Sequence, residues 1–351
     1  MAKKKVLFVV EAMGGGVLTY ITDLANALAE QFDISIAYAV RPQTPENFKA
    51  SFDQRIHFIE VPHFTREINP VKDLRAMSEI KKIVRDIKPD VIHFHSSKAG
   101  AIGRLAFSGR STPLFYTPHG YSFLMEDCSP IKRAAYRQIE SILAKRRCTT
   151  ISCSPGEHEE TVKMTQRAKY VNNGINIAEM ERMLASVNRS EHPFTVFTLG
   201  RICHQKNPAL FNSIAEAMLD AHFLWIGDGE LRHELKSGNI EITGWVNREE
   251  ALQKSMNADV FLLTSLWEGL PISLLEAMYM KKLCVVSDVI GNHDVIHSGE
   301  NGFVCRSMEE YIKAIETHET KALTEAAYND VVRTYNTAVM GKQYARIYEG
   351  A

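Results

Sequence analysis
The apolar run VLFVV at residues 6–10 is followed by Gly14-Gly15-Gly16 and then by helical periodicity over residues 18–30. A continuous apolar strand that empties into a glycine turn and a helix fits a parallel sheet covered on both faces; a half-exposed antiparallel strand would alternate apolar with polar residues. The pattern continues with strands over 34–40, 56–61, 91–95 and 114–117 and a helix over 70–87, and reaches the turn Pro118-His119-Gly120. After YVNNGIN at 170–176 and a polar connector over 186–193 it starts again, with a strand over 194–199, the loop Gly200-Arg201, a helix over 207–218, a strand over 222–226 and the turn Gly227-Asp228-Gly229. Strands over 240–243, 260–263 and 284–287 alternate with helices over 248–256 and 272–280, and the helical pattern of 321–348 breaks around Asn336. Such alternation predicts an α/β chain with two doubly wound sheets, whose ligands lie outside the carboxyl ends of the strands.

At 351 residues the chain exceeds the size over which one core keeps growing, so two domains are expected. A net charge of −1, with 24% charged and 45% hydrophobic residues, describes an ordinary globular protein and disfavours binding to nucleic acid. The cysteines, at 128, 148, 153, 203, 284 and 305, show neither CxxC pairing nor the dense spacing of a disulfide scaffold, which suits a reducing, cytoplasmic setting. Lys3-Lys4-Lys5 precedes an apolar run too short for a signal-peptide core or a membrane span. Membrane contact is therefore expected to be peripheral.

In WEGLPISLLEAM, residues 267–278, Glu268 and Glu276 stand on either side of a Gly-Leu-Pro turn. Leu270-Pro271 favours an extended or turn start, so Glu268 belongs to a loop and Glu276 to the second turn of a helix. Paired acid and base work would use such a spacing; a solvated loop charge and a solvated helix residue would share it. GRICHQKNP, residues 200–208, sets Arg201 and Lys206 between a strand and a helix, where a guanidinium fork and an ammonium suit a diphosphate. Gly14-Gly15-Gly16 is not GxGxxG, and Arg41 stands where a dinucleotide fold would hold an acidic residue, so nicotinamide chemistry loses ground. His119 lies in a rigid strand-end turn that can aim its imidazole or its backbone at a ligand. His93 and His95 alternate on a strand, but no further metal-ligand spacing accompanies them, and no metal is expected. Ser96, Ser97 and Lys98 follow as candidate contacts to a polar acceptor, and Ser154 begins no GxSxG elbow. Aromatic and basic residues near Phe64, Arg66, Tyr121 and Phe123, together with Lys132, Arg133, Arg137, Lys145, Arg146 and Arg147 on an expected helix, suit an anionic membrane surface, as they would a plain solvated face.

The glycine loop, PHG, NNGI, GRxxxxKN, GDG and EGLPxxxLEA, in this order, resemble the retaining nucleotide-sugar-dependent glycosyltransferases of family four, which have the GT-B fold: two Rossmann-like domains facing across a cleft. Segments such as EAMGGGVLTY and FYTPHGYSF look like bacterial capsule and exopolysaccharide enzymes. The resemblance implies an acceptor-binding domain over 1–172, a donor-binding domain over 173–336 and a final helix, 337–351, packed back on the first. It also implies that Arg201 and Lys206 grip the donor diphosphate in place of a metal, that Glu276 holds the ribose and that Glu268 contacts the transferred sugar, with His119 beside it. Gly200, Gly227, Asp228, Gly229, Gly269, Leu270, Pro271 and Ile272 would line the donor; Pro271 has no N–H, so the amides of Gly269, Leu270 and Ile272 would do the donating. Gly15 and Gly16 would let their loop approach donor phosphates or acceptor, and Tyr121 joins Ser96, Ser97 and Lys98 on the acceptor side. The chain departs from the family where Gly291 is followed by Asn292 rather than a second glycine and where Leu270 replaces a phenylalanine. The expected activity is transfer, with retention and without cofactor, from a UDP-sugar to a lipid-linked or polysaccharide acceptor at the inner face of the cell membrane. A nucleotide-sugar 2-epimerase of the same fold is the alternative, and a non-catalytic sensor a third reading.

Overall fold
The computed structural model describes residues 3–11, 13–41, 44–65, 67–126, 128–185, 187 and 191–351; Arg66 and half of the 186–193 connector lie outside them. Contacts divide the chain into two units, one of Met1–Leu124, Cys128–Asn173 and Thr337–Ala351, the other of Met125–Asp127 and Gly174–Asn336. The first contains β1 (Lys5–Val10), α1 (Gly15–Leu28), β2 (Asp33–Tyr38), β3 (His57–Glu60), α2 (Pro70–Ile87), β4 (Val91–His95), α3 (Ser97–Ala106), β5 (Leu114–Thr117), α4 (Pro130–Leu143), β6 (Thr149–Ser152), α5 (Pro155–Val162) and β7 (Ala168–Tyr170). The second contains α6 (Ile177–Leu184), β8 (Thr195–Leu199), α7 (Pro208–Ala217), β9 (His222–Ile226), β10 (Ile240–Ile242), α8 (Arg248–Met256), β11 (Val260–Leu263), α9 (Ile272–Tyr279), β12 (Leu283–Ser287), β13 (Phe303–Cys305), α10 (Met308–Ile315) and α11 (Lys321–Arg333). The last helix, α12 (Thr337–Glu349), belongs again to the first unit.

Both sheets are parallel and wound alike. The orders are β3-β2-β1-β4-β5-β6-β7 and β10-β9-β8-β11-β12-β13, so each chain segment starts mid-sheet, runs out to one edge, then crosses back to build the other side. The winding reverses between β1 and β4 in the first unit and between β8 and β11 in the second. Loops leaving those strands diverge and open a crevice in which ligands of such sheets bind.

Strand periodicity explains the two layers of the first unit. Val6, Phe8 and Val10 enter a core with α1 and α12, including Leu24, Met340 and Tyr344, while Leu7 and Val9 enter a second core with Ala76 and Ile80 of α2 and Ile102 of α3. Each large apolar side chain so buried contributes about 1.5–3 kcal/mol relative to exposure. The second unit has its own core, including Phe211, Phe223, Trp225 and Val285. Helix α2 shows why the local signals work: Pro70 opens it, the Asn69 side chain accepts from Lys72 N at 3.1 Å, and Lys88 stops it in a left-handed conformation.

The structure differs from the periodicity in a few places. Helix α1 begins at Gly15 rather than at residue 18, because Gly15 takes a φ of 55° and turns the chain straight into the helix. Gly15 and Gly16 therefore form the first turn of α1 rather than a free loop. Lys145, Arg146 and Arg147 lie beyond the end of α4, which stops at Leu143. Strands β6 and β13 and helices α3, α5, α6 and α10 escape sequence reading, most of them because three to eight residues display too little of either period.

Candidate active site
The second unit concentrates charge where its winding reverses. From the loop after β8, Lys206 Nζ meets Glu268 Oε1 of the loop after β11 at 2.7 Å; Ser265 Oγ donates to the same oxygen at 2.7 Å, and Gln205 Nε2 lies 3.4 Å from Oε2. Gln205 Nε2 also donates to Trp267 O at 2.9 Å, and Thr264 Oγ1 to Lys206 O at 2.8 Å, so the two loops are stitched together around the ion pair. Glu268 is 6% exposed. Arg201, half-buried, stands 3.8 Å from Glu230.

Helix α9 starts beside this pair and lacks a side-chain cap. Helices α6, α7, α8 and α10 each begin behind an Asn or Ser whose side chain accepts from a first-turn amide, whereas α9 begins behind Pro271, which offers none. Its first amides, from Ile272 onward, carry the positive end of the helix dipole without a side-chain acceptor. Such a terminus is suited to an anion. One turn further on, Glu276 is buried, and its Oε1 lies 2.7 Å from the Arg248 guanidinium at the start of α8. Burial raises the Glu276 carboxyl above the ordinary carboxylate value, Arg248 pulls it down, and Glu179 of α6 adds to the rise.

The glycine turn after β9 packs closely against the loop after β8. A Cβ on Gly227 would stand 2.2 Å from Gly200 O and one on Gly229 2.1 Å from Ile202 O, so these glycines let two backbone loops touch each other. Asp228 is spent within the turn, accepting from Gly229 N at 2.8 Å and pairing with Arg232 at 2.9 Å. Gly269 lies equally close to backbone, its carbonyl 2.3 Å from where a Gly291 Cβ would sit, and Leu270 is buried. That contact accounts for the glycine at 291.

In the first unit the groups gathered around the ends of β4 and β5, beneath α1 and α12, are polar but uncharged. His93 Nδ1 meets Tyr348 Oη at 2.6 Å and its Nε2 meets Thr117 Oγ1 at 2.9 Å; Tyr20 Oη donates to Tyr344 Oη at 2.6 Å. His95 Nδ1 lies 3.2 Å from His119 Nε2, and His119, at a φ of 56°, packs its ring on Tyr20 with centroids 4.6 Å apart. Burial holds His93 and His95 well below the ordinary imidazole value and lowers His119 to about 3. All three are neutral near pH 7. Arg41 pairs with Glu11 at the end of β1.

Of the acceptor-side candidates, Ser96 has a φ of 78° and its Oγ makes no hydrogen bond among the described residues. Ser97 Oγ accepts from Ser122 Oγ at 3.1 Å. Lys98 is turned onto α2, pairing with Asp73 at 2.7 Å and donating to Glu67 O. Tyr121 is 1% exposed, stacked on Phe123 with its hydroxyl 2.8 Å from Thr161 Oγ1, because it completes the core under α2 and α3. Its side chain is a packing element. Among the described residues no group of three or more His, Cys, Asp or Glu side chains could hold a metal ion, all six cysteines are buried and unbridged, and no helix is long and apolar enough to cross a membrane.

Sequence reading missed Gln205, Ser265 and Arg248. The first two carry no signal in a single sequence. Arg248 does carry one: it is a cation in the first turn of a helix, where the dipole favours the Glu249 and Glu250 that follow it.

Comparison with known proteins supplies the family. Residues 15–174 match the family described as glycosyl transferase 4-like domain, and residues 193–319 the one described as glycosyl transferases group 1. An Escherichia coli UDP-Gal:alpha-D-GlcNAc-diphosphoundecaprenol alpha-1,3-galactosyltransferase is 29% identical over 82% of this chain and 80% of its own. Among solved structures, a sucrose-phosphate synthase from Thermosynechococcus elongatus superposes with a TM-score of 0.83 at 14% identity, covering 99% of both chains. The Anabaena protein HepE, in complex with UDP and glucose, does so with a TM-score of 0.76 at 17% identity, covering 99% of this chain and 100% of that one. With the two family matches lying one in each half, and in this order, the chain belongs to the glycosyltransferases that join a 4-like domain to a group 1 domain in the GT-B fold.

Proposed function
We propose that this glycosyltransferase is a retaining enzyme that moves a sugar from a UDP-sugar to a lipid-diphosphate-linked saccharide in cell-surface polysaccharide synthesis. The observation that carries the proposal is the pairing of an uncapped α9 N-terminus with the Lys206–Glu268 contact at the winding reversal of the second unit. A diphosphate would be met there by helix amides, by Lys206 and by Arg201, whose positive charge takes the place a metal has in other transferases. As donor arrives, Lys206 would exchange its carboxylate partner for phosphate oxygen, freeing Glu268 for the hydroxyls of the transferred sugar. Glu276 would accept from the ribose hydroxyls. The E. coli relative is named for a UDP-sugar donor and a diphosphoundecaprenol acceptor, and the HepE structure holds UDP; both support this choice of substrates.

In the transfer step the bond from the sugar anomeric carbon to phosphate oxygen breaks, and the acceptor oxygen bonds to the same face of that carbon. The acceptor's hydroxyl proton passes to the departing phosphate. Protein groups supply position and charge stabilisation rather than a covalent nucleophile. The first unit would contribute hydroxyl-directed contacts from Ser96, Ser97 and a neutral His119.

Helix α4 supports docking on an anionic bilayer. Ile131, Ile139 and Ile142 are 83%, 49% and 57% exposed on it, with Lys132 and Arg133 beside them and Lys145, Arg146 and Arg147 just beyond, while the buried Arg104–Glu140 pair at 2.8 Å ties its other side to α3. Apolar side chains flanked by lysine and arginine bind such surfaces jointly.

The test is product formation from UDP-sugars on a polyprenyl-diphosphate-linked saccharide, with the anomeric configuration read by NMR. An α-linked product from an α-linked donor is expected; a β-linked product overturns retention. Conversion of the nucleotide sugar to its epimer without acceptor would instead favour the isomerase, a reading that gains no support from the relatives named above.

A further inference from the structure
We propose that Arg248 is a positioning residue for the ribose-holding carboxylate, fixing Glu276 through Oε1 so that Oε2 faces the nucleotide ribose as a hydrogen-bond acceptor. The inference rests on the reading of the second unit as the donor site.

The geometry is specific. Glu276 is 4% exposed and its Oε1 lies 2.7 Å from the Arg248 guanidinium. Arg248 reaches it from the first residue of α8, behind the Asn247 cap, whose side chain accepts from Glu250 N at 2.9 Å. A cation at that end of a helix opposes the dipole, so its placement is explained by the partner it meets rather than by α8 itself. The charged groups acting on Glu276 are Arg248 from α8 and Glu179 from α6, and they act in opposite directions. Without Arg248, burial and Glu179 both favour the neutral acid, whose hydroxyl group competes as a donor and whose remaining oxygen is a weaker acceptor. A carboxylate accepts hydroxyl hydrogen bonds about twice as strongly as a neutral group. Arg248 thus acts through Glu276 and need not touch the nucleotide.

Calorimetric titration with UDP, 2′-deoxy-UDP and 3′-deoxy-UDP separates the roles, applied to the full chain and to its Arg248→Gln, Arg248→Lys and Glu276→Gln variants at several pH values. Arg248→Gln is expected to weaken UDP binding about tenfold near pH 7, to bind at least one deoxy analogue nearly as the parent does, and to recover UDP affinity as pH rises and Glu276 ionises. Arg248→Lys, which keeps the charge, should restore most of the loss. In the ligand-free protein, the Glu276 carboxyl carbon signal should titrate at higher pH in Arg248→Gln than in the parent. UDP affinity unchanged in Arg248→Gln while Glu276→Gln loses it overturns the positioning role and leaves the donor site standing. Equal losses for UDP and both deoxy analogues also overturn it, since they mark a structural role. If neither the parent nor any variant binds UDP, GDP or dTDP, the donor-site reading fails and takes this inference with it.

Discussion
The two units wind their sheets alike, yet the groups around β4 and β5 in the first and those following β8 and β11 in the second differ in chemistry. In the first, the imidazoles of β4 and of the turn after β5 meet one another and the phenols of α1 and α12, and burial keeps them uncharged, with His93 joined to Tyr348 and His95 to His119. In the second, the corresponding loops carry carboxylates held by cations, Glu268 by Lys206 and Glu276 by Arg248. The difference teaches that topology fixes where a ligand is met, while the strand-end residues decide what kind. Neutral hydroxyl-bonding groups suit a sugar alcohol. Charges that can exchange partners suit a nucleoside diphosphate, because each cation then releases a carboxylate for a hydroxyl group.

The largest expected effect breaks the charged half. Lys206→Met should lower turnover at saturating donor by about 10²–10³-fold, the range for losing one group that stabilises developing charge, with hydrogen exchange of the first unit unchanged. Turnover equal to the parent's would mean that the pair is structural. Arg201→Ala belongs in the same assay, and because Arg201 is more exposed and stands 3.8 Å from its partner Glu230, its loss should perturb folding less.

Next in size is acid sensitivity, which separates the units by sign. His93, His95 and His119 have native values held below the unfolded value of about 6.5, so the unfolded state binds protons first as pH falls. Their stabilising contribution is complete above that value and is lost on descending below it, by about 1.4 kcal/mol per pH unit for each histidine. For His119 the window runs down to about 3. Glu276 has a raised native value, so its contribution is present below the ordinary carboxylate value and is lost as pH rises through the native one. Hydrogen exchange between pH 7 and 5 should therefore show the first unit loosening ahead of the second, and His95→Gln should reduce that slope by one proton. Parallel loosening of both units would erase the contrast.

Much of this was legible before any coordinates. The runs at residues 91–95, 114–117, 222–226 and 260–263 and the helix at 70–87 coincide with β4, β5, β9, β11 and α2, because each has clean apolar periodicity and sharp ends such as Asn69-Pro70. The charged loops were also legible, since Arg201, Lys206, Glu268 and Glu276 sit at strand ends or on the following helix. What sequence could not reveal was partnership. Nothing in GRICHQKNP says that Lys206 reaches a glutamate sixty-two residues away, nor does GDG say that its glycines lie against the backbone of the Gly200–Ile202 loop. Tyr121 misled for the same reason: a tyrosine after PHG reads as a contact residue until Phe123 and Thr161 are seen to enclose it.

The smallest effect sharpens the comparison at two helix starts. Asn207 holds a left-handed φ of 51° and its side chain accepts from Leu210 N at 3.3 Å, capping α7 directly behind Lys206. Asn207→Ala should cost about 1 kcal/mol for the lost cap, measured by urea unfolding, with Asn207→Gly, which the left-handed backbone favours, costing only a few tenths. Ser96 stands before α3 with an equally unusual φ of 78°, yet caps nothing, and its Oγ has no partner among the described residues. Ser96→Ala should therefore shift stability by less than about 0.5 kcal/mol. If that hydroxyl is instead kept for an acceptor, the same variant should raise the acceptor KM several-fold while leaving the donor KM alone. A stability loss near that of Asn207→Ala would show Ser96 to be a cap after all, and the neutral half would lose one of its candidate ligand contacts.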